Sequence, residues 1–217
     1  MSGQFDESIK LSFAVAVFLF VTGLALVLVG SQFAPIDSYT HWHQWVTFNL
    51  LTCLVIPVAL LKGMGQSFHL YGLGLGQKRR SVLWLSIGIV VVVIISAFTY
   101  GSEELQRYYP MARSARSGGP AFIWYIATSI VYIFAWEFAF RGYMTFGLYR
   151  VIGWWAVPVQ AVVFGMCHFG KPDVELMSSF VGGAAQGIIA LNTRSILVPF
   201  ILHAAIWTSV NLIALYA

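Results

Sequence analysis

The chain reads as an all-α polytopic membrane bundle of about seven transmembrane or half-membrane helices, and three observations lead there. Of its 217 residues, 59% are hydrophobic and only 9% are Asp, Glu, Lys or Arg, against about 25% charged in an ordinary soluble domain. Its mean hydropathy is +0.80. Apolar runs near the roughly 20 residues that a spanning helix needs follow one another from Leu11 to Leu215, with short connectors between them. Such a pattern leaves no room for a separate soluble domain, so residues 1–217 are expected to form a single integral-membrane domain.

The first span is expected over Leu11–Gly30, where nothing is charged. It is longer than a signal-peptide core and no small-x-small cleavage site follows, so it reads as a retained anchor ending in a turn at Ser31-Gln32-Phe33-Ala34-Pro35. A second span covers Trp45–Leu61. The Gly-rich connector Tyr71-Gly72-Leu73-Gly74-Leu75-Gly76 lies in no strand-to-helix unit, which argues for an interfacial linker over a phosphate loop. A third span, Val82–Tyr100, is rich in Val and Ile but too long and too uniformly apolar for a strand. Gly101–Gly119 is the longest polar connection, and a surface loop with a short interfacial helix is expected there.

The fourth span starts near Pro120 and extends as far as Arg150; the fifth, Trp154–His168, is short and stops in a Phe169-Gly170-Lys171-Pro172-Asp173 turn. A helix that ends this way after an embedded histidine suits backbone lining an enclosed or watered cavity. The sixth span, Glu175–Leu191, carries Gly182-Gly183-Ala184-Ala185-Gln186-Gly187, whose small residues let a neighbouring helix approach closely. The seventh is Ile196–Leu215. No internal repeat is evident, which disfavours a small transporter.

The net charge of +4 does not point to nucleic acid, because the twelve Lys and Arg are scattered and cluster only at Lys78-Arg79-Arg80. With Lys62, that trio sits between spans two and three, whereas Asp37, His41 and His43 lie between spans one and two, so a cytoplasmic N-terminus is expected. Arg150 and Arg194 agree with this orientation and Arg107, Arg113 and Arg116 oppose it. His41, His43 and His69 are read as interfacial. Cys53 and Cys167 have no CxxC spacing and are read as small buried side chains.

Four embedded ionisable residues form the candidate site: Glu137, Arg141, His168 and His203. Charge inside a membrane segment costs roughly 2.5 to 3.5 kcal/mol per residue on insertion scales, so it persists where it is paired or used. Glu137 and Arg141 at i and i+4 share a helix face and can pair. A carboxylate with two imidazoles suffices to hold and deprotonate a confined water and so to hydrolyse a peptide bond. Glu137, His168 and His203 also make up a three-ligand set with room for a divalent metal such as zinc, although no HExxH pair is present. Both the metal-free and the metal mechanism remain open, as does a purely structural Glu137–Arg141 ion pair.

The blocks around these residues resemble the CPBP family (CAAX proteases and bacteriocin-processing enzymes, also called Abi), to which the type II CAAX prenyl endopeptidases belong. Trp136-Glu137-Phe138-Ala139-Phe140-Arg141-Gly142 is similar to the family's Glu-Glu-x-x-x-Arg, Phe164-Gly165-Met166-Cys167-His168 to its Phe-x-x-x-His, and His203-Ala204-Ala205-Ile206-Trp207 to its His-x-x-x-Asn or Asp. The resemblance implies a catalytic core at about residues 120–215 and an intramembrane endopeptidase acting on lipidated or membrane-anchored peptides. It also implies water activation by the first-motif glutamate and second-motif histidine, with third-motif oxyanion stabilisation. Membrane lipids and a membrane-associated substrate are the implied partners, and a bacterial source implies the inner membrane. Two positions depart from the pattern: Trp136 replaces the first glutamate and Trp207 the Asn. Glu137 is then expected to act as base, or Asp173 or Glu175 to replace the missing acid, with Asn211 able to supply an amide. The two tryptophans favour the alternative of a catalytically silent relative that binds a membrane partner or confers immunity.

Overall fold

The computed structural model describes residues 11–31 and 39–217. Of the turn expected at Ser31–Pro35, Ser31 ends the first helix and the rest, like the connector residue Asp37, falls outside the described residues. Among those described there is no strand, and six helical runs are long and apolar enough to cross a membrane. The protein is therefore an integral, multi-pass membrane bundle.

Helix α1 spans Phe13–Ser31 and α2 Tyr39–Leu50; a π-helical stretch at Leu51–Val55 joins α2 to α3, Ile56–Gly63. The second span thus begins almost two turns before the expected Trp45, with His41 and His43 already helical. Trp42 and Trp45 explain the extension: both are buried, Trp42 against Tyr125 and Trp45 against Tyr132. His43 accepts from the Trp124 indole at 3.1 Å. Helix α4, Lys78–Tyr100, begins with the basic trio, which the sequence placed in a connector. Positive charge is unfavourable at a helix N-terminus, but Arg80 is turned to the C-terminal end of another helix and donates to the Asn192 carbonyl at 3.2 Å.

The polar connection contains the expected short helix, α5, Glu103–Tyr108, capped by the Ser102 hydroxyl, which accepts from the Leu105 amide. The segment lies at the surface as expected, with Glu103, Glu104, Arg107, Arg113 and Arg116 exposed, but one side of it also packs inward. Leu105, Tyr109, Ala112 and Ala115 are buried, and Arg116 ties the segment together by donating to the carbonyls of Arg107, Tyr108 and Pro110. Apolar residues spaced through a polar stretch give it one side to lay against the bundle.

Helix α6, Gly119–Glu137, passes into a second π-helical stretch at Phe138–Phe146 and then α7, Gly147–Ile152. Gly153, at φ +58, breaks the run before α8, Ala156–Met166. π-helical turns are rare and concentrate at functional positions; this one begins directly after Glu137. Helix α9, Asp173–Thr193, packs on α8, and α10 is Leu197–Tyr216. The small-residue face on α9 does what its composition predicts. A Cβ at Gly183 would sit 3.0 Å from the Phe164 ring and 3.3 Å from the Ala161 Cα, and one at Gly187 would sit 2.9 Å from the Gln160 amide nitrogen.

Candidate active site

Glu137 ends α6 at a point where the helix is enclosed on every side, and neither it nor Arg141 is exposed at all. One carboxylate oxygen, Oε1, accepts from Arg141 Nη1 at 3.0 Å and lies 2.7 Å from His203 Nδ1 on α10. The i,i+4 pair expected from the sequence is therefore made, and the structure adds His203 to it. The Arg141 guanidinium also lies 4.2 Å from the centroid of the Phe164 ring, where a cation is favoured by the π face. Glu137 Oε2 and Arg141 Nε and Nη2 are buried without hydrogen-bond partners among the described residues.

His168 sits in the turn after α8. Its Nδ1 is 2.8 Å from the Phe164 carbonyl, which can only accept, so Nδ1 carries the proton and Nε2 keeps its lone pair. Burial, reinforced by the nearby positive charge of Lys171, pushes its pKa down to about 2, so the imidazole is neutral. By the same logic, an ionised Glu137 draws the His203 proton to Nδ1 and leaves Nε2 as the acceptor.

Both histidines line a cavity of about 390 Å³ between α4, α9 and α10. Its walls are mostly apolar, with Ile94, Phe98, Phe164, Ile206 and Trp207 among them. Glu137 and Arg141 are not part of its lining; they stand behind His203. Glu175, in the first turn of α9, does line it, but its carboxylate is engaged: Tyr109 donates to both oxygens at 2.8 Å and Lys171 donates to Oε1 at 2.6 Å. Burial and this carboxylate push the Tyr109 phenol well above its ordinary pKa, so it stays a donor. Lys171 and Tyr109 both lie on the cavity wall and had no signal in the sequence analysis beyond their place in polar connectors.

The remaining candidates lie elsewhere. Asp173 is exposed at the start of α9 and does not reach the cavity. Asn211 does not supply an amide there: it is fully buried, its Oδ1 accepts from the Tyr125 hydroxyl at 3.1 Å and its Nδ2 donates to the Trp207 carbonyl at 2.8 Å. Two turns along α10 carry it past the cavity into the α6 interface. Trp136 is buried, its indole donating to Asn49 Oδ1 at 3.0 Å, with its ring 6.4 Å from that of His168. The Trp207 indole nitrogen is buried and has no hydrogen-bond partner among the described residues.

Glu137, His168 and His203 do not come together as a metal site. Among the described residues no three His, Cys, Asp or Glu side chains are grouped to hold an ion. Glu137 Oε1 is held by a guanidinium and an imidazole, and an adjacent cation competes directly with a metal for the carboxylate. The donor set does not fit.

Residues 117–208 match the family model described as Type II CAAX prenyl endopeptidase Rce1-like. Over this segment the chain is similar to the type II CAAX prenyl endopeptidases. No curated protein and no solved structure matches the chain significantly. The matched segment runs from the residues just before α6 into α10 and contains Glu137, Arg141, His168 and His203. Helix α4, the Tyr109 loop and Asn49 lie outside it. The match therefore covers the embedded charges and the cavity-lining parts of α8, α9 and α10 up to residue 208, and α4 completes the wall from outside the matched segment.

Proposed function

We propose that this protein is an intramembrane endopeptidase that hydrolyses a peptide bond in a lipidated or membrane-anchored substrate. The observation that carries the reading is the pair of imidazoles on the wall of an apolar cavity, each with Nδ1 committed to a fixed acceptor and Nε2 left over. Two acceptors on one small cavity suit a single water: each takes one of its hydrogens, and the oxygen lone pairs are left for a substrate carbonyl.

His203 is the base. Removing the water proton makes it an imidazolium, and Glu137 behind it stabilises that charge through the Nδ1–H bond, while Arg141, bonded to the same carboxylate oxygen, holds the carboxylate in place. The hydroxide oxygen bonds to the carbonyl carbon, and collapse of the tetrahedral adduct breaks the C–N bond. His203 returns its proton to the leaving amine. His168, neutral, positions the water and does not change charge. Glu137 thus acts through His203 and not on the water itself, which is how a chain with Trp136 at the first acid position retains a base. In a bacterium the protein would act in the inner membrane.

The Trp136 indole favours a second reading, a silent relative that binds a membrane partner, because it is spent on Asn49 where the resemblance implies an acid. One assay separates the two. Detergent-purified protein is incubated with an internally quenched S-farnesylated peptide. Cleavage by the wild type, lost in both His203→Ala and His168→Ala at unchanged melting temperature, supports the endopeptidase. Saturable binding without cleavage supports the silent relative.

A further inference from the structure

The α9 wall of the cavity has a feature that the hydrolytic machinery does not use. Gly182 and Gln186, one turn apart, both line the cavity. Helix glycines usually mark a close approach, as Gly183 and Gly187 do on the side of α9 that meets α8. A Cβ at Gly182, by contrast, would meet nothing within 4 Å. One turn further on, the Gln186 carboxamide oxygen is buried and has no hydrogen-bond partner among the described residues. Nearby Gln160 uses its amide nitrogen structurally, donating to the Gly183 carbonyl at 2.7 Å to join α8 to α9.

Depth along the bundle places Gln186 beside the chemistry. Helices α9 and α10 are joined by a three-residue turn and run back on each other. Counting from that turn at 1.5 Å per residue, Gln186 lies about 10 Å down α9 and His203 about 9 Å down α10. An open strip over a glycine, followed by a carboxamide oxygen with no partner among the described residues at the level of His203, suits one kind of occupant. Hydrocarbon has no use for the amide, and a buried polar group without a partner is costly. A peptide backbone supplies both a donor and an acceptor, and a half-turn of the carboxamide offers it either atom.

We propose that the Gly182–Gln186 face of α9 is the subsite on which the substrate's main chain lies, with the Gln186 carboxamide hydrogen-bonding one backbone amide of the bound peptide and positioning it against His203. The inference rests on the endopeptidase reading for the identity of the occupant. Gln186 is a positioning residue that holds the peptide and leaves the proton transfers to the histidines.

The test is equilibrium binding of a fluorescein-labelled S-farnesylated hexapeptide to the detergent-solubilised full chain, read by anisotropy. Gly182→Leu should weaken binding about tenfold or more without lowering the melting temperature, since the added side chain fills space that only an occupant uses. Gln186→Leu should weaken it about tenfold, the loss of one hydrogen bond. Replacing the matching peptide amide by an ester should cost the wild type a similar factor and cost Gln186→Leu nothing more. Unchanged affinity in both variants, additive losses from ester and mutation, or no binding to the wild type would overturn the subsite. Cleavage is scored separately with the quenched peptide. Binding that depends on Gly182 and Gln186 without turnover sinks the hydrolase reading and leaves the subsite standing; turnover with wild-type KM in both variants does the reverse.

Discussion

His203 Nδ1 lies 2.7 Å from Glu137 Oε1 across 66 residues of chain. This contact, more than the Glu137–Arg141 pair within one helix, gives the site its direction. It turns one ring nitrogen inward to a fully buried carboxylate and leaves the other for the cavity.

Glu137→Gln preserves the side-chain volume but removes the charge that stabilises an imidazolium. Turnover is expected to fall by roughly 100-fold or more, with KM little changed, because the loss is felt when His203 becomes charged. Steady-state kinetics on the quenched peptide check this; an activity within a few fold of wild type would mean that Glu137 does not support the base.

Arg141→Ala should damage the fold more than the chemistry. It leaves a buried carboxylate without its guanidinium and opens a gap against Phe164, at an expected cost of about 3 to 5 kcal/mol. Detergent melting reads the loss directly, and a midpoint equal to that of the wild type would speak against a structural pair.

Trp136→Phe keeps most of the ring packing and removes the indole N–H that Asn49 accepts. A cost of about 1 to 3 kcal/mol is expected because the buried amide oxygen keeps only the weak Cys53 thiol donor, at 3.9 Å, together with turnover within about twofold of wild type. A collapse of activity at retained stability would place Trp136 in the chemistry.

His168 titrates far below an unfolded imidazole, at about 2 against 6.5. The unfolded chain therefore binds a proton that the folded one refuses, so this group's contribution to stability is fully present above pH 6.5 and declines as pH falls from there toward 2. Melting curves between pH 7 and pH 4 should drop more steeply for the wild type than for His168→Phe. Parallel slopes would remove burial of a neutral His168 as the cause.

Much of the architecture was legible because a bilayer imposes long uninterrupted apolar runs, and these can be counted without a structure. The Glu137–Arg141 pair and the close packing at Gly183 and Gly187 were also readable, since both depend on spacing within one helix. What faces what across helices was not. Nothing in the residues around Glu137 shows that His203 screens it from the cavity, or that Asn211 turns to Tyr125. The inward side of the Tyr109 segment was not legible for a related reason: its charged residues mark it as surface, which they are, whereas Leu105, Tyr109, Ala112 and Ala115 decide which side lies against the bundle. The link from Tyr109 to Glu175 also spans 66 residues, and no local pattern encodes it.

Helix α4 contributes Ile94, Ile95, Phe98 and Thr99 to the cavity, yet only 11% of its most apolar window is buried inside the protein. Helix α4 packs on α9 and α10 along one side and leaves Val90, Val91 and Val93 exposed on the other, so a single helix separates the cavity from that outer face. In a bilayer that outer face would meet acyl chains, so chain order and bilayer thickness are expected to bear on the helix that closes the cavity. Rates compared between detergent and bilayers of different chain length would then report on the membrane as much as on the protein.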